Sequence, residues 1–251
     1  GTTVFTQFTR GMWPDLAERL AQDGVFAVRS VRPNRLEDLE AAFREEDSGP
    51  RKIAAFFHEF VMMNYGARRL DEAFVRRAYE LCAAHDVPTV DDEIQTCVWG
   101  EGLFAYKEYG VTPNMVVIGK GFPGGEFAAS RLLFDEAYDC LPQFGALVTN
   151  GQEELAALAY LVTIRWAEAN TAATKRIGEY YESRLRDLAD ANRDLVASVE
   201  GVRHLSALSF RDLGRAKRFV AQLGAAGLDI SVQTYKTSCP PTALTKLPLI
   251  A

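Results

Sequence analysis

Two short apolar runs in the middle of the chain close on charged residues. The first, Val87–Val90, leads into Asp91, Asp92 and Glu93; the second, Met115–Ile118, leads into Gly119, Lys120 and the turn-forming GFPGG. Brief apolar runs without polar alternation are the pattern of strands covered on both faces, as in parallel sheets. Open α/β sheets bind ligands outside the carboxyl ends of such strands. This one feature therefore sets an architecture and also marks a sheet edge where chemistry is to be sought. Lysine is rarely buried unless something pairs or reacts with it, so Lys120 at a buried strand end calls for a reason.

The rest of the chain alternates in the same way, which predicts an α/β fold. VFAVRSV (Val25–Val31) reads as a strand. The following NRLEDLEAAFREE reads as a helix with Leu36, Leu39, Ala42 and Phe43 on one face and Asn34 as candidate N-cap. KIAAFFHEF reads as a further buried strand, ending at Glu59. In LDEAFVRRAYELCAAHD, Leu70, Phe74, Ala78 and Cys82 recur at helical spacing. A helix is expected from Gln152 to about Trp166, with Leu155, Leu158, Ala159 and Val162 on its apolar side, and a polar helix from about Thr171 to Val196. The last third reads as strand (HLSALSFRD), helix (LGRAKRFVAQLGAAG, stopped by glycine) and strand (LDISVQTY). Residues 1–170 are thus expected to form a large, mainly parallel domain and residues 171–251 a smaller α+β domain.

Composition narrows the function classes. With 251 residues, 48% of them hydrophobic, the chain can enclose a substantial core. A net charge of −6 argues against a nucleic-acid partner. Cys82, Cys97, Cys140 and Cys239 are scattered, with neither a CxxC pair nor zinc spacing, so no metal is expected and a reducing compartment fits best. No run approaches the length of a membrane-crossing helix and no signal-peptide pattern is visible. The expectation is a cytoplasmic protein without a membrane partner.

Three expected strand ends carry polar residues: Glu59, the group Asp91-Asp92-Glu93-Ile94-Gln95-Thr96, and Lys120. Pyridoxal 5′-phosphate (PLP) is a cofactor that needs both an amine and an acid, the amine for its aldehyde and a carboxylate to keep its ring nitrogen protonated. The stretches VPTVDDEIQT and LFAYKEYGVTPNMVVIGKGFPGG, with VTNGQEELAALA downstream and IAAFFHEFVMMNYG upstream, together resemble the class-III (ornithine-type) aminotransferases.

The resemblance implies PLP-dependent transferase fold type I. It implies transfer of an amino group between an amine or amino acid and a keto or aldehyde acceptor. By position, Lys120 would form the Schiff base and Asp92 would face the pyridine nitrogen. Gln95 would contact the phenolic oxygen, and Thr149 would bind the phosphate of the other subunit's cofactor in a homodimer with a shared active site. Glu59 is expected to hold a loop, and none of His58, His85 and His204 is given a chemical role. Other reactions on the same scaffold (aminomutase, epimerase, decarboxylase) stay open, as does a non-catalytic module.

The chain also departs from the family pattern. Phe60 stands for a proline, Cys97 for a glycine and Asn114 for an aspartate. The N-terminal part that carries the family's phosphate-binding turn has no counterpart, so a fragment is expected. In ALTKLPLI, Thr245 takes the place of the arginine that grips the substrate carboxylate in many members, with Lys246 beside it.

Overall fold

A computed structural model describes residues 14–47, 52–100, 102–125, 127, 129–145, 153–233 and 239–249. It has an α/β fold. In chain order the elements begin with helices α1 (Pro14–Gln22) and α2 (Leu36–Glu46) and strands β1 (Phe56–His58), β2 (Val61–Met62) and β3 (Arg68–Arg69). Then follow α3 (Glu72–Ala84), β4 (Thr89–Asp92), α4 (Ala105–Tyr109), β5 (Met115–Ile118) and β6 (Arg131–Phe134). The long helix α5 (Glu154–Ala191) leads to β7 (Val196–Val202), β8 (Leu205–Phe210), α6 (Leu213–Ala225), β9 (Ser231–Gln233) and β10 (Thr242–Leu244).

The chain divides into two compact units, Gly1–Phe56 with Leu70–Thr89, and Phe57–Arg69 with Val90–Ala251. In the first, α2 buries Leu39, Ala42 and Phe43, and α3 buries Phe74, Val75, Ala78, Leu81 and Cys82. The apolar spacing of both helices is therefore the spacing of their buried faces, although Leu36 is exposed. Asn34 does not cap α2, whose N-cap position is Arg35. Its side-chain oxygen instead accepts from the backbone N–H of Asp71, 2.9 Å away, at the start of α3. Residues Val25–Val31 form no strand. They are apolar enough for one, but among the described residues no ladder pairs with them, and a strand is stable only with a partner.

The second unit holds the sheet edge. One sheet has the order β1-β4-β5-β6. β4 and β5 are parallel, with Val90 opposite Met115, Asp91 opposite Val116 and Asp92 opposite Val117. β6 lies antiparallel on β5. Val116 and Ile118 enter a core with Cys97, Val98, Phe122 and Tyr160. A second sheet, wholly antiparallel in its recorded pairings, has the order β7-β8-β10-β9. It packs Val196, Leu208, Phe210 and Ala243 against Ala216 of α6.

α5 is one continuous helix of 38 residues where two were expected. The boundary expected near residue 170 falls inside it, and it ends at Ala191, with a turn over residues 192–195 where the helix was expected to run on to Val196. Its face is also reversed. Leu155, Leu158 and Val162 are 58%, 56% and 60% exposed, whereas Ala156, Tyr160, Ala167, Thr174 and Gly178 are buried. The helix turns small residues such as Ala156, Ala167 and Gly178 toward its neighbours, which let its backbone come close, while Leu155, Leu158 and Leu161 point away and Leu185 packs on the core of the second sheet.

Gly178 shows how close. A Cβ there would sit 2.5 Å from Nδ1 of His204 and 2.8 Å from Cβ of Arg203, and His204 is fully buried. Glycine-to-alanine inside a helix ordinarily stabilises by up to about 1 kcal/mol. Here overpacking of about 1–3 kcal/mol should reverse the sign. Gly178→Ala is expected to lower the melting midpoint, by about 2–4 °C per kcal/mol in a chain of this size; thermal unfolding followed by circular dichroism checks it.

Candidate active site

The site is built from the turns after β4 and β5. The parallel register places Asp92 opposite Val117, so both strands leave the sheet at the same edge. The backbone ladder continues for one residue, Glu93 N–H donating to Val117 C=O at 3.0 Å. The chain then turns sharply, because Glu93 C=O accepts from the N–H groups of both Thr96 (3.0 Å) and Cys97 (2.8 Å).

The Glu93 side chain fastens this turn. Its Oε2 accepts from Thr96 Oγ1 at 2.5 Å and its Oε1 from the Tyr106 N–H at 2.9 Å, which ties the turn to α4. Glu93 is fully buried, and that burial raises its pKa while these donors oppose the rise. Asp92 is buried as well, and its Oδ1 accepts from Ile94 N–H at 3.1 Å. Gln95 is half-buried in the same turn.

Lys120 is exposed, against the expectation of a buried strand end. It lies past the end of β5, in the turn closed by Phe122 N–H on Gly119 C=O (3.1 Å). Its φ of 50° is in the left-handed region, unusual for a residue with a side chain. The strand itself is covered, but the turn carries the lysine clear of the core. Thr149 lies outside the described residues.

Glu59 is buried. His58 is enclosed and burial pushes its pKa down to about 3, so it is neutral, with Nδ1 3.8 Å from Asp91. His85 caps α3 and meets Asp47 at 2.5 Å. His204 is buried against α5 and Trp99, and burial, followed by the Arg203 charge, lowers its pKa. Among the described residues no group of three or more His, Cys, Asp or Glu could hold a metal, and no helix is long and apolar enough to cross a membrane.

Lys246 is the residue whose place the sequence did not show. Its neighbour Thr245 is buried, with Oγ1 donating to Ser206 C=O at 3.1 Å and its own carbonyl accepting from Tyr181. Lys246, after β10, instead places its amine 4.1 Å from the centre of the Trp99 ring. Burial lowers its pKa to about 8, the Cys97 thiolate would raise it, and the charge of Lys120 lowers it further. Lys246 therefore lies within reach of the charge of Lys120, brought there by the antiparallel sheet.

Comparison with known proteins assigns the chain to a family. The chain matches the family model of aminotransferase class-III over residues 18–239. It belongs to the class-III aminotransferase family. It is similar to ornithine aminotransferase car2 of Schizosaccharomyces pombe, 35% identical over 43% of this chain and 24% of that protein. It is also similar to the ornithine aminotransferase of Plasmodium yoelii yoelii, 28% identical over 84% of this chain and 52% of that one. Among solved structures, the ornithine aminotransferase of Toxoplasma gondii superposes with a TM-score of 0.77 at 22% identity, covering 88% of this chain and 51% of that one. The Plasmodium yoelii enzyme superposes with a TM-score of 0.74, also at 22% identity, covering 88% and 57%. The chain thus spans about half the length, or less, of the curated relatives it matches. A Toxoplasma gondii ornithine aminotransferase has been crystallised with partial occupancy of PLP at its active site.

The class-III chain carries residues of the chemistry PLP requires. Asp92 is a buried acid on the outgoing end of one parallel strand, and Lys120 an accessible amine beyond the end of its neighbour. Those two donor types fit the group; the exposed lysine fits as an amine that must reach an aldehyde.

The burial of Lys246 has a measurable consequence. In competitive acetylation read peptide by peptide, its amine should reach half-maximal reactivity near pH 8. Ordinary exposed lysines titrate at about 10.4, and a value there would remove the buried seat on Trp99.

Proposed function

We propose that this protein is a PLP-dependent aminotransferase, moving an amino group between an amine or amino acid and a keto or aldehyde acceptor. The observation that carries the reading is the exit of Asp92 and Lys120 from adjacent parallel strands at one sheet edge, in a class-III family member. When bound, PLP supplies an aldehyde for imine exchange and a protonated ring that draws electrons from the substrate's alpha carbon. Lys120 contributes the amine that binds the cofactor carbonyl. It then accepts and returns the proton at the substrate carbon. Asp92 holds the proton on the ring nitrogen, and the Ile94 N–H fixes one of its oxygens. Gln95 contacts the phenolic oxygen, and Thr149 binds the phosphate across a homodimer. The protein acts in the cytoplasm, and its large and small domains divide along α5.

The exposure of Lys120 favours a second reading, a non-catalytic module on the same scaffold. One experiment separates the two. Borohydride reduction of the PLP-loaded protein and peptide mapping should place the label on Lys120, Lys120→Ala should lose turnover while keeping the fold, and Asp92→Asn should slow turnover on the order of 100-fold or more. A label on another lysine, or none, would sink the aminotransferase reading.

The substrate differs from that of glutamate-using members. Thr245, at the arginine's place, is held by Ser206 and Tyr181, and the nearby cation is Lys246, a point charge rather than a bidentate fork. Glutamate is expected to convert the cofactor to its amine form slowly, in a half-reaction followed by absorbance. Rapid conversion that disappears in Lys246→Ala would show that the lysine had replaced the arginine and that this expectation is wrong.

A further inference from the structure

On β4 the side chains alternate, so Asp91 points to the face opposite Asp92. Asp91 is 0% exposed, and neither of its oxygens has an N–H or O–H donor as partner. Glu93, two residues on and so on the same face of the strand, is itself 0% exposed, and its carboxyl bears on Asp91. Two ionised carboxylates on that one buried face would repel, so the pair needs a proton.

Among the described residues the surroundings offer no other solution. Asp92 and Glu59 add two further acids. His58 is neutral, and its Nδ1 at 3.8 Å lies beyond hydrogen-bonding distance. Tyr106, on α4, faces both acids, and its phenol is pushed up first by burial and then by Glu93 and Asp91. Among the described residues, the leading influences on Asp91 are burial and the neighbouring acids, with no lysine or arginine beside them. An ionised carboxylate there would carry the burial penalty of an unpaired ion. Of the two acids, Glu93 already accepts from the Thr96 hydroxyl and from the backbone of Ala105 and Tyr106. It is the acceptor.

We propose that Asp91 is a neutral acid at physiological pH, donating its proton to Glu93, and that the pair is the positioning element under the turn that carries Asp92, Gln95 and Thr96. Asp91 touches neither substrate nor cofactor in this role. It acts through Glu93, and the inference stands independently of the aminotransferase reading.

Infrared spectroscopy of the full chain tests it. At pH 7 the wild type should show the C=O stretch of an un-ionised carboxyl, lost in Asp91→Asn and kept in Asp92→Asn. The wild-type spectrum decides even where a variant fails to fold: absence of the band overturns the proposal, and so does its survival in Asp91→Asn. A second readout is stability against pH. Burial raises Asp91 above its unfolded value, so the stability it contributes is full below about pH 3.9 and is lost as pH rises through its folded pKa. An asparagine donates to Glu93 without titrating. The melting midpoint of Asp91→Asn minus that of wild type should therefore climb with pH, and a flat difference would overturn the proposal.

Discussion

The parallel pairing of β4 with β5 is the constraint from which the rest of the site follows. Neighbouring strands lie about 4.8 Å apart, so a register that sets Asp92 opposite Val117 fixes where each chain leaves the sheet. The Glu93 N–H extends that ladder by one bond to Val117 before the turn begins. A slip of one residue would exchange Asp91 with Asp92 between the two faces. It would place the acid that lacks donors where the one meeting Ile94 N–H now sits, and would pull Glu93 from the backbone of α4.

Burying several acids at one strand end is costly, and the structure offsets it in more than one way. Glu93 receives a hydroxyl and backbone N–H groups, while Asp92 receives the Ile94 N–H. His58, enclosed beside Asp91, adds no positive charge because burial keeps it neutral. The cations stand elsewhere: Lys120 on the exposed turn and Lys246 over Trp99. The acids therefore keep the geometry of the turn by hydrogen bonding rather than by ion pairing, which is directional and little screened by salt.

How much of this was legible depended on whether the decisive signal was local. β4 and β5 were readable because covered strands are short, apolar and bounded by charge, and the same two runs pointed to Asp92 and Lys120. The buried faces of α2 and α3 followed from apolar spacing. α5 defeated that rule. Its contacts require small residues such as Ala156, Ala167 and Gly178, and hydrophobic periodicity gives more weight to leucines that here remain exposed. Asn34 had the right chemistry for a cap, but its partner, Asp71, is distant in sequence. Lys120 was assigned the environment of its strand, whereas its left-handed turn decides its exposure. Lys246 reaches Trp99 only because β10 pairs with β8, a long-range fact no window of sequence contains.

That last contact also shows how the candidate site is apportioned. Asp92 and Lys120 come from adjoining parallel strands, so a few residues of ladder are enough to hold them in relation. Lys246 is placed by another sheet: β10 lies between β8 and β9, and Thr245 is fastened to Ser206 just before the chain reaches Trp99. The backbone of α5 meets the same region, since Gly178 fits closely against His204, whose ring neighbours Trp99. A change in the packing of α5 would therefore move Lys246 and Trp99 before it moved Asp92. Lys120 and Asp92 are thus held by local pairing, while Lys246 is held by tertiary packing. Within such an arrangement, substitutions along α5 can shift Lys246 while the register that places Lys120 and Asp92 stays as it is.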